Sequence, residues 1–174
     1  MLMFVMQYTQ VMAYTFINAR DDGYWVRPLY LSRSLSSDHI ACVLEAVNIY
    51  NIQTTRAPII ISPIWRSSYI RVSYYSEDDV SIRSTGSTFY RGHLQSDNIW
   101  LIDSMDINIS PDISLYNACV SIVLHEIVHT RGLYHSDVPG SIMNLSIAFK
   151  DGHMIDTEYP MLSPDDIDGI SAVY

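Results

Sequence analysis

Lysine is almost missing from this sequence: Lys150 is the single example, and acidic residues outnumber Lys plus Arg by 19 to 10. The formal net charge of -9 leaves no basic surface of the kind that binds nucleic acid, and no polybasic patch for anionic lipid. We therefore expect neither a nucleic-acid partner nor recruitment to lipid by charge.

Long uninterrupted apolar runs are also missing, so we expect no membrane span. The N-terminal stretch MLMFVMQYTQVMAYTFINAR is interrupted by Gln7, Thr9 and Gln10, and it begins without the basic residues of a signal peptide. Large apolar residues recur at alternate positions in it, which favours a strand. We interpret residues 1–23 as an N-terminal extension that could add a strand to a sheet edge or join two chains. A weak signal-like segment is the alternative.

Cysteine is scarce, since Cys42 and Cys119 are the only two and neither belongs to a CxxC motif. They allow one disulfide at most, and two buried free thiols are an equally good interpretation. The cysteines therefore leave the redox compartment open.

The rest of the chain, residues 24–174, is long enough for one domain with a substantial core. A polar loop is predicted at 77–88. The predicted strands span 25–32, 58–64, 69–75, 88–92 and 97–103, and the predicted helices span 36–53, 110–131 and 163–174. This order predicts the α+β class, with a twisted mixed β-sheet backed by two long helices and a small C-terminal part that ends in a helix.

The second helix has sequence signals at both ends. Ser110 is a candidate N-cap, Pro111 would take the first helical position, and Asp112 complements the positive end of the helix. Gly132 is a natural residue to end it. Together these signals predict a helix of about 21 residues, roughly 30 Å long.

Three histidines gather around the end of this helix. His125 and His129 are four positions apart, so they project from one face and can share a metal ion. Glu126 can reach a metal-bound water without being a ligand. His135 can join them only if the chain turns back, and Gly132 permits that turn through a positive φ.

Two histidines at this spacing often occur by chance on a helix, where they bond to carbonyl groups or to solvent. The full HExxHxxGxxH pattern is much harder to obtain by chance, because each added residue has its own mechanical role. Three imidazole ligands leave the fourth position of a tetrahedral zinc ion for water, as in catalytic zinc sites. The pattern therefore predicts one catalytic zinc ion bound by His125, His129 and His135.

The run HEIVHTRGLYH followed by SIM resembles the signature of the metzincin zinc metallopeptidases, which combine this motif with a methionine turn. Ser136, directly after the third histidine, and Met143, eight residues beyond His135, are similar to the matrixins, the matrix metalloproteinase family. The ending LSPDDIDGISAVY is similar to the matrixin C-terminal helix. The resemblance covers residues 24–174 and implies a zincin fold with the methionine turn in the C-terminal subdomain.

The resemblance also implies a role for the remaining site residues. Glu126 would be the general base, and Met143 would form an apolar floor beneath the zinc ion. One of Asp165 and Asp166 would brace the methionine turn, although a charge role at the start of the last helix is an equally good account of both.

The chain departs from the matrixin pattern in two places. Matrixins hold a structural zinc in the long loop with three histidines and an aspartate, whereas the corresponding region here contains only His93, so we expect no second zinc. A calcium site at Asp78 and Asp79 is allowed but unsupported. Residues 144–147, NLSI, stand where matrixins carry Tyr-Pro-x-Tyr, so the substrate preference is not inherited.

We therefore predict a zinc-dependent endopeptidase that hydrolyses peptide bonds through a zinc-activated water, with Glu126 as general base. The substrate is expected to lie extended along an edge strand near residues 88–91. A catalytically silent or latent zincin-fold module, used for binding or structure, is the alternative. Since matrixins mostly act outside the cytosol, the resemblance implies an extracellular or secreted protein.

Overall fold

Strands and helices follow one another in the predicted order. The computed structural model describes residues 19–20, 26–54, 58–76, 85–94, 100–144, 149–150, 153–154 and 160–173. The elements in chain order are β1 (Ala19–Arg20), β2 (Arg27–Leu31), α1 (Ser37–Gln53), β3 (Ile59–Ile61), a 3-10 turn (Trp65–Ser67), β4 (Ile70–Tyr74), β5 (Gly86–Leu94), β6 (Trp100–Ile109), α2 (Tyr116–His129), β7 (Phe149–Lys150), β8 (His153–Met154) and α3 (Pro164–Val173). The predicted α+β class is confirmed.

The main sheet has the strand order β5-β6-β4-β2-β3, and the short β1 pairs with the start of β6. All of its pairs are parallel except β5 with β6, which is antiparallel. In β6 the buried side chains of Met105, Ile107 and Ile109 alternate with more polar ones, as a sheet covered on one face requires. Among the described strands β5 pairs with β6 alone, so it lies at an edge of the sheet.

Helices α1 and α2 pack against each other, and a disulfide joins Cys42 to Cys119 across that contact. Both cysteines are buried in the hydrophobic core. The question that the sequence left open is thereby answered in favour of a bridge. It connects the second turn of α1 to the first turn of α2, the helix that carries two of the three histidines.

The predicted start of α2 at residues 110–112 is wrong, because the helix begins at Tyr116. Leu115 occupies the N-cap position and makes no side-chain capping hydrogen bond. Pro111 and Asp112 lie in a turn, in which the Ser110 hydroxyl accepts a hydrogen bond from the Asp112 backbone N–H at 3.2 Å. Tertiary contacts hold this segment outside the helix. The Ser110 N–H donates to the Thr85 carbonyl at 2.9 Å. The Ile113 carbonyl accepts from the buried imidazole of His39 in α1 at 3.0 Å.

The region around β5 and β6 differs from the prediction in length. Strand β5 begins at Gly86, inside the loop predicted for 77–88, and β6 continues to Ile109, beyond the predicted end at 103. The two strands pair along this whole length. This pairing stabilises the start of β5 and the end of β6, where local sequence preference for a strand is weak. Residues 77–84, with Asp78 and Asp79, lie outside the described residues.

The N-terminal extension is described only at β1, where Ala19 and Arg20 pair in parallel with Trp100 and Leu101. Residues 1–18 lie outside the described residues, so the predicted boundary at 23 and a dimer formed through the extension stay predictions. None of the helices in the described part of the chain combines the length and apolar character needed to cross a bilayer.

Candidate metal centre

The last two turns of α2 bring the first pair of histidines together. His125 and His129 lie one turn apart, and their ring centroids are 4.6 Å apart. His125 is buried, and the His129 side chain is partly exposed. The helix therefore presents two imidazoles side by side, one of them reaching the surface.

A tight turn after α2 delivers the third histidine. Gly132 adopts a φ of 86°, and its N–H donates to the His129 carbonyl at 2.8 Å. Because this φ is strained for any residue with a Cβ, glycine suits the position. The turn folds the Leu133 carbonyl back onto His129 Nδ1 at 2.7 Å and brings His135 Nε2 to 3.2 Å from His129 Nε2.

The ligand nitrogens of His125, His129 and His135 all lie within 4.8 Å of one another. Two nitrogens bound to one tetrahedral zinc at 2.0–2.1 Å would be about 3.3 Å apart. The separation of 3.2 Å between the Nε2 atoms of His129 and His135 agrees with that value. In the described ranges this is the only group of three ligand side chains close enough to share a metal ion.

Backbone carbonyls orient two of the imidazoles. His125 Nδ1 donates to the Ile142 carbonyl and His129 Nδ1 to the Leu133 carbonyl, each at 2.7 Å. Because Nδ1 is occupied as a donor, Nε2 is left as the lone-pair nitrogen that can bind a metal. The donor set and its orientation therefore fit zinc.

Burial also keeps the imidazoles neutral. It lowers the pKa of His125 to about 4 and the pKa of His129 well below its ordinary value, and it lowers the pKa of His135 as well. Neutral imidazole is the form that binds metal, so no proton has to be removed at neutral pH before zinc binds.

The segment with Met143 is tied by its backbone to the histidine region. Met143 is 1% exposed, and its carbonyl accepts from the Ser136 N–H at 3.0 Å. The residue before it, Ile142, provides the carbonyl that orients His125. This turn therefore contacts the histidine cluster through its backbone, and the role of the methionine side chain as a floor stays a prediction.

Asp166 of α3 holds that turn in place. Its carboxylate accepts from the Ser141 hydroxyl at 2.6 Å and from the Ile142 N–H at 2.9 Å. It also accepts from the N–H and hydroxyl of Ser163, while the Ser163 hydroxyl accepts from the Asp166 N–H at 3.2 Å, a reciprocal cap of α3. Asp166 therefore contacts the turn and caps α3, while both acids lie in the first turn of the helix. Asp165 instead accepts from the Ser136 hydroxyl at 3.1 Å.

Glu126 points away from solvent, toward β5. Its side chain is buried, which raises its pKa to about 7, while a hydrogen bond from Thr88 opposes that rise. The Thr88 hydroxyl lies 2.7 Å from Glu126 Oε2. A buried carboxyl group with a raised pKa, on the residue after a histidine of the cluster, is a candidate functional group.

Three residues of β5 that contact α2 carry no recognisable signal in the sequence. These are Gly86, Thr88 and Tyr90, which share one face of the strand because they alternate. The alternation was visible in the sequence, but nothing in it shows that this face would meet α2. His93, at the far end of the same strand, faces Asp103 at 3.2 Å. The absence of a second zinc stays a prediction, and a calcium site stays possible but unsupported.

The fold and the histidine site together define a zinc metallopeptidase of the metzincin type. The Matrixin family profile matches residues 80–174, more than half of the sequence. The chain belongs to the matrixin family.

Solved structures of zinc proteases share the fold. High choriolytic enzyme 1, a hatching enzyme zinc-protease from the medaka fish Oryzias latipes, is 17% identical, with a TM-score of 0.50 over 86% of this chain and 88% of that one. Myroilysin is 13% identical, with a TM-score of 0.51 over 86% of this chain and 79% of that one. No curated protein sequence matches the chain.

Proposed function

We propose that this matrixin is an endopeptidase that uses one zinc ion and Glu126 as general base. The observation that carries the proposal is the convergence of three imidazoles, two of them oriented by backbone carbonyls, where α2 also carries a buried carboxyl group. His125, His129 and His135 would hold the ion. The partly exposed side chains of His129 and His135 leave the site open to a peptide.

The chemistry follows from the groups of the site. A zinc ion supplies Lewis acidity, which lowers the pKa of a water molecule to about 7 and polarises the scissile carbonyl. Glu126 accepts the proton of the attacking water and passes it to the leaving amine. Because Glu126 directly follows His125, its carboxylate would lie within reach of such a water without serving as a ligand.

The peptide substrate would lie extended along β5, near residues 88–91. This strand pairs with β6 on one side, and no described strand pairs with its other side. An edge strand offers unpaired backbone groups to an extended peptide, which it can bind irrespective of side-chain identity. Binding along a strand also secures the peptide on both sides of the cut bond, as cleavage within a chain requires.

A library of peptides blocked at both termini tests the proposal, because an exopeptidase cannot start on them. The zinc-loaded protein is expected to cut them internally, as read by mass spectrometry. Glu126→Ala should keep its zinc and lose cleavage, whereas the exposed control Asp112→Ala should keep both. A zinc-loaded protein that cuts nothing, with or without residues 1–23, would favour a latent or silent binding module. Undiminished cleavage by Glu126→Ala would refute the role of Glu126.

We also place the protein outside the cytosol. The bridge between Cys42 and Cys119 supports this location, since disulfides persist in oxidising compartments and are rare in the cytosol. Protein from its native source, treated with a thiol-blocking reagent before lysis, should show both cysteines unmodified. Quantitative labelling of both thiols would contradict the proposed location.

A further inference from the structure

We propose that Thr88 is a positioning residue for Glu126, so that the same edge strand that binds the substrate also sets the place of the general base. This inference rests on the proposed function of Glu126. It concerns a side chain on β5 that is neither a metal ligand nor part of the HExxHxxGxxH motif.

The contact between Thr88 and Glu126 is direct. The Thr88 hydroxyl lies 2.7 Å from Glu126 Oε2 and 3.0 Å from the Glu126 backbone carbonyl oxygen. One hydroxyl has one proton to donate, and the shorter contact to the ionisable oxygen is the stronger of the two. A single hydroxyl is thus located against both the side chain and the backbone of the same residue.

Gly86, two residues earlier on the same face of β5, lies against the other carboxylate oxygen. A Cβ built on Gly86 would be 2.9 Å from Glu126 Oε1 and 2.7 Å from Ile122 Cγ2. Real Cβ atoms do not approach other atoms so closely, so the strand and the helix can meet here only because residue 86 has no side chain. The two oxygens of Glu126 therefore face Gly86 and Thr88, respectively.

A second hydroxyl fixes the strand one turn further along the helix. Tyr90, again on the same face, donates from its hydroxyl to the His129 carbonyl at 2.7 Å. Since Thr88 and Tyr90 bind successive turns of α2, β5 cannot slide along the helix without breaking both bonds. The position of the strand relative to Glu126 and His129 is therefore set by side chains of β5.

This arrangement has a consequence for the reaction. Proton transfer depends steeply on the position of the base, and a displacement of about 1 Å can lower the rate by roughly 100-fold. If β5 both pairs with the peptide and holds Glu126, the position of the base relative to the peptide is set by one strand. Thr88 then affects the chemical step, while the backbone of the strand affects substrate binding.

The test compares Thr88→Val, which keeps the shape and removes the hydroxyl, with Thr88→Ser, which keeps the hydroxyl. On a blocked peptide, Thr88→Val should lower kcat by roughly 10- to 100-fold with little change in KM, and Thr88→Ser should recover most of the loss. The matched control is Ser87→Ala, which removes a hydroxyl from the opposite face of β5, where it accepts from Tyr75. Zinc content should be the same in all of these proteins.

A second measurement needs no turnover. In the zinc-free protein, Thr88→Val should lower the denaturation midpoint, and the shift should be smaller when Glu126 is already alanine, because the pair is then absent. Equal shifts in both backgrounds would overturn the contact. An unchanged kcat in Thr88→Val, or a loss confined to KM, would overturn the positioning role while leaving the proposed function intact. A zinc-loaded wild type that cleaves nothing would overturn the proposed function itself.

Discussion

The two ends of α2 can be compared directly, since one helix carries both. At the C-terminal end, His129, Gly132 and Leu133 are joined by short hydrogen bonds within one turn. At the N-terminal end, Leu115 has no side-chain cap, and the Cys119 disulfide to α1 lies within the first turn of the helix. The first end is defined by local sequence and the second by contacts with distant parts of the chain.

This difference shows which end carries the chemistry. A metal centre needs its ligands at fixed separations, so His125, His129, Gly132 and His135 have geometric roles that show in the sequence as a pattern. The N-terminal end of α2 needs only to be kept in position. A disulfide or packing against residues distant in the sequence can do this. Mutations at the two ends should therefore have separable effects on zinc binding and on stability.

The largest effect is expected from His135→Ala, which removes a ligand from the C-terminal end. Zinc content should fall from one ion per chain to near zero, because two histidines leave the ion without a third protein ligand. His93→Ala is the control, since that histidine faces Asp103 on β6 instead of the metal centre. Atomic absorption on both variants gives the answer, and zinc retained by His135→Ala would contradict the ligand assignment.

Replacing both Cys42 and Cys119 by serine tests the N-terminal end. The bridge closes a loop with a sequence separation of 77, and its removal should lower the free energy of unfolding by about 4 kcal/mol. Urea unfolding measures that loss, and zinc titration of the folded variant should give nearly the wild-type affinity. A large loss of zinc affinity in the folded variant would show that the two ends are not independent.

Asp166→Ala tests how α3 supports the C-terminal end. The buried carboxylate accepts four hydrogen bonds, and its loss should lower the free energy of unfolding by about 3 kcal/mol. Zinc affinity should fall by roughly 10- to 100-fold, because the Ile142 peptide that orients His125 is no longer held. Asp168→Ala, at an exposed position of the same helix, should change neither quantity.

A comparison of Gly132→Ala with Gly140→Ala separates backbone strain from metal geometry. Both glycines have a positive φ, 86° and 82°, so each substitution should cost about 1 kcal/mol of stability. Gly132 forms the turn between His129 and His135, whereas Gly140 lies before the Ile142 carbonyl that orients His125, so Gly132→Ala should weaken zinc binding more than Gly140→Ala does. Equal zinc affinities in the two variants would show that this turn does not set the site.

The sequence predicted the metal centre far better than the sheet that surrounds it. The HExxHxxGxxH pattern predicted the three histidines, the turn at Gly132 and the class of protein. The spacings between its residues are those that let three histidines share one metal ion. Glu126 was visible as part of that pattern, whereas Thr88 was not. Its contact joins residues 38 positions apart, and a serine or threonine on a strand is ordinary unless the strand's neighbour is known.

The same limit explains the errors in the elements. Strand β6 extends to Ile109 and β5 begins at Gly86 because these two residues pair with each other. The limits of both strands therefore depend on pairing that the local sequence does not show. The fold class was nevertheless predictable, because it depends on the order of strands and helices and not on their limits.

Ser110→Ala should have the smallest effect on the free energy of unfolding. It tests whether Ser110 caps α2 or only stabilises the turn before it. If Ser110 capped the helix, its loss would cost about 1 kcal/mol, which is the value we expect for Ser36→Ala at the start of α1, where the hydroxyl accepts from the His39 N–H at 3.2 Å. In its turn, Ser110 accepts a single exposed bond from Asp112, so the expected loss is only about 0.3 kcal/mol. Urea unfolding of the two variants side by side would distinguish a cap from a turn. Equal losses would mean that a serine followed by proline and aspartate stabilises α2 from outside the helix.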